Sequence, residues 1–401
     1  MAIYEKRGPG GQFIANGGDI NNNSGTSPQI VRPVFNGPVS IGNSQSKTPL
    51  QTRCLQSLAF PEMGNRSKEI DDVADGTCEW LLKHGVYKTW AAQDRALLSI
   101  KGKPGSGKST LLRYALKNLK KTHDNGDNKT IFLSFFFHGR GTELQKTPLG
   151  FFLSLLHQLL NQVPEALSGL LNAFEEQCRS MGKPGEGWQW HPTDLQEFFE
   201  SSLPVALESR PVWLFVDALD ECGEEHVGDL VDNFKSWLEG LPSTSQQFHV
   251  CFTRRHYPNL NLEHWSEISV DEHNENDISI FVRTKLSTRP TIPPEIPKMI
   301  TDGASGVFMW ARLVVKRVLD LELQGAGWKK VKKEISSIPP ELDYIYNGLF
   351  CGMDDKLASL NLFKWICFAA RPLSLDELRW IMVIDSDIDS PHRSLEESQL
   401  A

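Results

Sequence analysis

The stretch Gly102-Lys103-Pro104-Gly105-Ser106-Gly107-Lys108-Ser109 constrains this chain more than any other, because a G-x-x-x-x-G-K-[ST] run serves as a turn between a buried strand and a helix. Its glycines let consecutive backbone N–H groups turn inward around a polyphosphate, and the helix that follows adds the positive end of its dipole. Both neighbours are present. Ala96-Leu97-Leu98-Ser99-Ile100 reads as a buried strand, and Leu111, Leu112, Ala115, Leu116 and Leu119 recur at helical spacing. Lys108 is then placed to reach the β- and γ-phosphates and the Ser109 hydroxyl to ligate Mg²⁺, with Thr110 in the same binding set. From Lys101 to Thr122 there are seven Lys or Arg and no acid, in a chain whose net charge is −8. That local positive field suits a nucleotide. A solvated basic helix face accounts for Lys117, Lys120 and Lys121 but not for the loop.

The totals narrow the class. With 401 residues, 40% of them hydrophobic, and 11 Trp and 21 Phe, the chain has material for two or three domains with real cores. Its acidic balance offers no basic stripe for a general nucleic-acid binder. Seven cysteines without a C-x-x-C pair fit scattered buried thiols in a reducing compartment, so a cytosolic location is expected. No apolar run approaches the ~20 residues that span a bilayer, and no apolar signal core follows Met1 to Arg7, so no membrane association is expected.

Residues 1–53 are rich in Asn, Gly, Ser and Pro and cannot bury enough surface to fold alone. They carry a weak internal echo, Phe13 to Ile20 and Phe35 to Ile41, with Asn-Gly pairs 20 residues apart. Two readings stay open: a disordered head, or paired cross-β rungs that stack between chains. Next, Ile70, Val73, Ala74, Cys78, Leu81 and Leu82 fall on one face of an expected helix. Beyond the loop, Asn125-Gly126-Asp127 marks a turn and Ile131 to Phe137 reads as a strand buried on both faces. Pro148 opens a helix through Leu160, and Thr193 to Gln196 has the spacing of a capping box for a helix ending near Leu207. This alternation is the signature of a mostly parallel α/β sheet flanked by helices.

Val212-Trp213-Leu214-Phe215-Val216-Asp217-Ala218-Leu219-Asp220-Glu221 is the second informative stretch: a central strand with acids where it ends. In open α/β sheets ligands sit at that carboxyl edge. Asp217 is therefore expected to hold Mg²⁺ beside Ser109, and Asp220 and Glu221 to orient or deprotonate the attacking water. A further strand, Phe248 to Thr253, ends in Arg254-Arg255; Arg254 is the residue expected to report a γ-phosphate, with Arg255 left to solvent. Glu267 to Val270 closes the strands. From Asn274 the pattern is helical only, over Asp277 to Leu286, Pro294 to Asp302, Gly306 to Leu323, Glu341 to Phe350, Leu357 to Ala369 and Leu373 to Val383.

From Cys54 to Met382 the chain resembles the fungal NACHT-type NTPases, NLR-like members of the signal-transduction ATPases that include the nephrocystin-like N-terminal NTPase region. The resemblance rests on Cys54-Leu55-Gln56-Ser57-Leu58-Ala59-Phe60, Thr77-Cys78-Glu79-Trp80-Leu81, Gly102 to Ser109, Asp217 to Glu221, Thr253-Arg254, Gly306-Val307-Phe308-Met309-Trp310-Ala311 and Arg371-Pro372-Leu373-Ser374-Leu375. It implies a P-loop NTPase domain over 54–273, a NACHT-associated helical domain over 274–352 and the start of a winged helix over 353–401. It also implies a slow ATP/ADP switch with Mg²⁺ that forms homo-oligomers when activated, clusters its N-terminal segment to template an amyloid-type effector, and acts in nonself recognition or regulated cell death. Two departures stand out. Ala218 occupies a position where the family often has Gly, and no repeat array follows, so the chain is read as a fragment or truncated paralogue. A turnover enzyme, such as a kinase or remodelling ATPase, and a nephrocystin-like scaffold are the competing readings; the intact nucleotide-contact positions disfavour the scaffold.

Overall fold

Strand-forming runs that are apolar at nearly every position need cover on both faces, and this chain supplies it with helices between the first four strands. In the computed structural model, which describes residues 48–123, 130–339, 356–369 and 373–386, they form β1 (Arg95–Lys101), β2 (Ile131–Phe136), β3 (Val212–Asp217), β4 (Phe248–Arg254) and β5 (Ser266–Ser269). The sheet order is β2-β3-β4-β1-β5, and every pairing is parallel. β4 thus separates the strand that enters the glycine-rich turn from the strand that ends in Asp217. Register aligns their carboxyl ends: Ile100 pairs with Thr253, Lys101 with Arg254, and Phe136 with Asp217. The edge expected to hold the ligand is therefore a single one.

Alternation along each strand sorts side chains into two cores. Leu97, Leu214, Val216, Val250 and Phe252 join one, together with the helices Pro148–Gln162, Pro192–Leu207 and Glu224–Gly240. Leu98, Ile100, Trp213, Phe215 and Cys251 join the other, beneath the helix Lys108–His123. A third core, centred on the wholly buried Trp310, belongs to the helices Glu275–Leu286, Glu295–Ala304, Phe308–Leu323 and Trp328–Ser337.

Two local expectations are corrected, and one helix appears that the sequence reading did not include. The approach segment is not one helix: Asn65–Glu69 and Glu79–Lys83 are helical, while Gly76 and Cys78, at φ +78° and +65°, break the stretch between them. Its apolar residues still reach one core, since Ile70, Cys78 and Leu81 are all buried there. The helix expected to start on Thr193 starts instead at Pro192, with the His191 ring accepting a hydrogen bond from the Thr193 N–H at 3.3 Å. Proline's fixed φ suits a first helical position and keeps the residue before it extended. The helix Trp328–Ser337 lies in a lysine-rich stretch whose buried face is only Val331 and Ile335. The low-complexity head up to residue 47, the turn at 125–127 and the helix expected over 341–350 lie outside the described residues. Residues 48–53 do not share the head's character, because Thr48 caps a helix over Pro49–Leu58 through a complete capping box.

One buried polar side chain stands out within the sheet. His249 of β4 is fully buried and stacks on Trp213 at 3.9 Å between ring centres, while Trp90 meets it nearly edge-on at 5.3 Å. Burial pushes its pKa down to about 4, outweighing the backbone of Gln93 and Trp90, which favours the charged ring.

Candidate nucleotide site

The turn after β1 has the backbone its sequence anticipates. Gly105 and Gly107 sit at φ +74° and +98°, where a side chain is strained, and the helix starts directly at Lys108. The Lys108 ammonium folds back over the turn and donates to the carbonyls of Gly102 at 2.8 Å and Lys103 at 2.9 Å. Burial lowers its pKa; the Asp220 and Asp217 carboxylates oppose that shift. Gly105 through Leu111 line a cavity of about 920 Å³ whose far walls are Ala218, Asp220, Glu221, Thr253 and Arg255. The expected residues Gly105, Ser106, Gly107, Lys108, Ser109 and Thr110 thus share one space with the two acids after β3.

Asp217 ends β3 with no exposed surface. Its Oδ1 accepts from the Thr253 hydroxyl at 2.6 Å, and that same hydroxyl accepts from the Ala218 N–H at 2.7 Å. Burial pushes the Asp217 carboxyl up, and the hydroxyls of Thr253 and Ser109 pull it back. Among the described residues Asp217 Oδ2 and Ser106 Oγ have no hydrogen-bond partner. Leaving a buried carboxylate oxygen unpaired is costly. Its proximity to the Ser109 hydroxyl fits the donor set for Mg²⁺, a hard cation that takes one or two protein oxygens and fills its shell with phosphate and water. Among the described residues no group of three or more His, Cys, Asp or Glu is placed to hold a metal ion by itself. Ala218 adopts φ +51°, which explains why glycine suits this position.

Asp220 and Glu221 face the cavity but are engaged. Asp220 accepts from the Arg255 N–H at 3.0 Å and pairs with its Nε at 3.0 Å; Glu221 lies 3.5 Å from the same guanidinium and accepts from the Gly139 N–H at 2.8 Å. Arg254, expected to report a γ-phosphate, is not among the residues that line the cavity. Its guanidinium is buried away from the cavity, pairing with Glu267 at 2.7 Å, donating to Ser99 Oγ at 3.1 Å, and reaching the carbonyls of Arg255, His256 and Pro258. Arg255, expected in solvent, is the member of the pair that lines the cavity. Successive strand side chains point to opposite faces, so only one of the pair can reach the ligand edge.

The helical region contributes residues that sequence reasoning missed. Asn274, 3% exposed, donates from one amide nitrogen to the carbonyls of Ser106 at 2.9 Å and Gly306 at 2.8 Å. The Met309 N–H donates to the Gly105 carbonyl at 2.9 Å, the Lys103 N–H donates to Asp271, and the Lys103 ammonium reaches the Ser305 carbonyl. At the other side of the cavity Asp277 accepts from the Cys78 N–H at 2.8 Å and the Trp80 indole at 3.0 Å. Asn274 directly precedes a helix, and the available signal, an N-cap asparagine, points to a different role; here it makes no capping bond. Asn274→Ala is expected to cost about 2 kcal/mol, because two buried carbonyls lose their donor. A lowered urea midpoint reads this effect, and an unchanged midpoint contradicts it.

The family description "Nephrocystin 3, N-terminal" matches residues 76–255, from the approach segment to Arg255. The vegetative incompatibility protein HET-E-1 of Podospora anserina is 25% identical over 370 residues, which cover 86% of this chain and 26% of that protein. The chain thus spans about a quarter of that relative's length. Among solved structures, the ORC2 protein of Aeropyrum pernix in ADPNP-ADP complexes aligns at a TM-score of 0.38 and 12% identity, over 84% of this chain and 87% of that one. A single-residue mutant of Thermotoga maritima RuvB aligns at 0.31 and 12%, over 79% and 84%.

Proposed function

We propose that this chain, an NTPase of the fungal NACHT and nephrocystin-like kind, is an ATP/ADP-binding switch in which the bound nucleotide governs association between copies. The observation that carries the reading is the shared wall of the cavity. Gly105 and Ser106 of the phosphate turn hold out their carbonyls to Met309 and Asn274 of the helical region, so one ligand site is built from both parts. Such a ligand contributes free energy to the arrangement of the two together. Lys108 and Ser109 are the residues that would hold the β- and γ-phosphates and the metal, with Asp217 as the metal's acidic partner. Asp220 and Glu221, engaged by Arg255 and Gly139, support slow turnover, as a switch requires.

The same proposal takes 274–352 as a NACHT-associated helical domain and 353–401 as the beginning of a winged helix. It assigns the low-complexity head the role of a segment that assembly would cluster, in nonself recognition or regulated cell death. The name of the Podospora relative, a vegetative incompatibility protein, supports that context. The test is light scattering on the full chain, with mass spectrometry of the nucleotide that co-purifies. ADP with a monomer, and a higher-order species with a non-hydrolysable triphosphate, are the expected results. The same mass with both nucleotides contradicts the switch.

A further inference from the structure

We infer that Arg66 is a specificity residue of this site, a guanidinium that recognises the terminal phosphate of a nucleoside triphosphate and has no counterpart contact with a diphosphate. The inference rests on the nucleotide reading of the cavity. Arg66 lies in the short helix Asn65–Glu69, far from the glycine-rich turn in sequence, yet it lines the 920 Å³ cavity together with Lys108, Ser109, Asp220 and Glu221. It also lines a second cavity of about 260 Å³, beside Ser134 and Gln145, so its stem bridges two open spaces.

Of the cations on the first cavity, Lys285, Arg312 and Lys316 belong to the helical region, and the other three differ in how much of their charge is already used. Lys108 donates to two turn carbonyls, and Arg255 is neutralised by both Asp220 and Glu221. Arg66 has a single long ion pair, 3.7 Å to the half-exposed Glu69, and its buried Nε has no hydrogen-bond partner among the described residues. Arg66 lines the second cavity beside Phe135 and Phe136 at the end of β2, and Phe136 is the register partner of Asp217. That register puts Arg66 toward the end of the sheet where β3 terminates, and Thr77, Cys78 and Trp80 of the same approach segment line the first cavity with Asp277, which accepts from Cys78 and Trp80.

A half-buried planar guanidinium held by only one long ion pair, beside an acidic metal site, matches a phosphate oxygen better than it matches water. A triphosphate brings about one more negative charge and three further acceptor oxygens than a diphosphate, so such a group discriminates between the two states. It would also place that discrimination on the N-terminal side of the turn, in a segment that precedes the NTPase sheet.

The test is calorimetric titration of the full chain and of Arg66→Met and Arg66→Lys with ADP and with ADPNP, each with Mg²⁺. Arg66→Met, which keeps the apolar stem, is expected to leave the ADP Kd within about twofold and to weaken ADPNP about tenfold or more, as for loss of a charged hydrogen bond. Arg66→Lys is expected to recover part of the ADPNP loss. If Arg66→Met does not fold, Arg66→Lys carries the test through its weaker but still selective loss. Equal losses for both ligands, or none for either, overturn the role of Arg66 while leaving the nucleotide site standing. A wild-type chain that binds neither ligand overturns both.

Discussion

Lys108→Ala is expected to weaken ADP and triphosphate binding about a hundredfold while leaving the ligand-free fold intact or slightly more stable. The ammonium is seated over the phosphate turn, held there by the carbonyls of Gly102 and Lys103, whereas that of Lys103 reaches away to the Ser305 carbonyl. Loss of a charge-assisted contact in a largely buried site accounts for a change of that size. The fold should not suffer, because a cation at the first position of a helix opposes the helix dipole. Burial lowers the pKa of this lysine, so folding favours its charge less than water does. Calorimetry with ADP, alongside thermal unfolding without nucleotide, checks both halves. An ADP affinity within about threefold of wild type would show that the turn does not bind phosphate as described.

Acid should destabilise the sheet through His249. Its ring has a pKa of about 4 in the folded chain, against 6.5 when unfolded, so between those values the unfolded state binds more protons. Its contribution is therefore fully present above pH 6.5 and lost as pH falls toward 4, at up to about 1.4 kcal/mol per unit and about 3 kcal/mol in all. Burial raises Asp217, Asp220 and Asp277, which gives those groups the opposite slope, stability falling as pH rises through their range. Urea denaturation of wild type and His249→Gln at about pH 7 and about pH 5 separates the two. The wild type is expected to lose about 2 kcal/mol more than the variant over that interval, and parallel losses would remove His249 as the cause.

What the residues disclosed on their own was whatever a single local pattern could encode. The strand, turn and helix around Lys108 are one contiguous pattern, and Asp217 is marked by the change from apolar strand to acid at a chain position that a parallel sheet must bring to the ligand edge. Arg254 and Arg255 could not be told apart in this way. Which of two adjacent side chains faces the cavity depends on Glu267 of β5 and Ser99 of β1, partners in other strands that capture Arg254. Asn274 and Arg66 were hidden for the same reason, one behind the ordinary look of a helix start and the other in a segment whose apolar spacing imitates a continuous helix. The broken stretch around Gly76 and Cys78 shows that periodic burial records which core a residue joins, not the backbone that carries it there.

The grip of Asn274 and Met309 on the phosphate turn has a mechanical consequence. Both bonds end on main-chain oxygens of Ser106 and Gly105, so the helices cannot swing outward without loosening the curve on which the phosphates would rest. Coupling of this kind runs in both directions with equal strength. Any molecule that pries the helices away would therefore act as a remote key to the pocket, loosening a bound nucleotide by as much as that nucleotide would hold the helices in place.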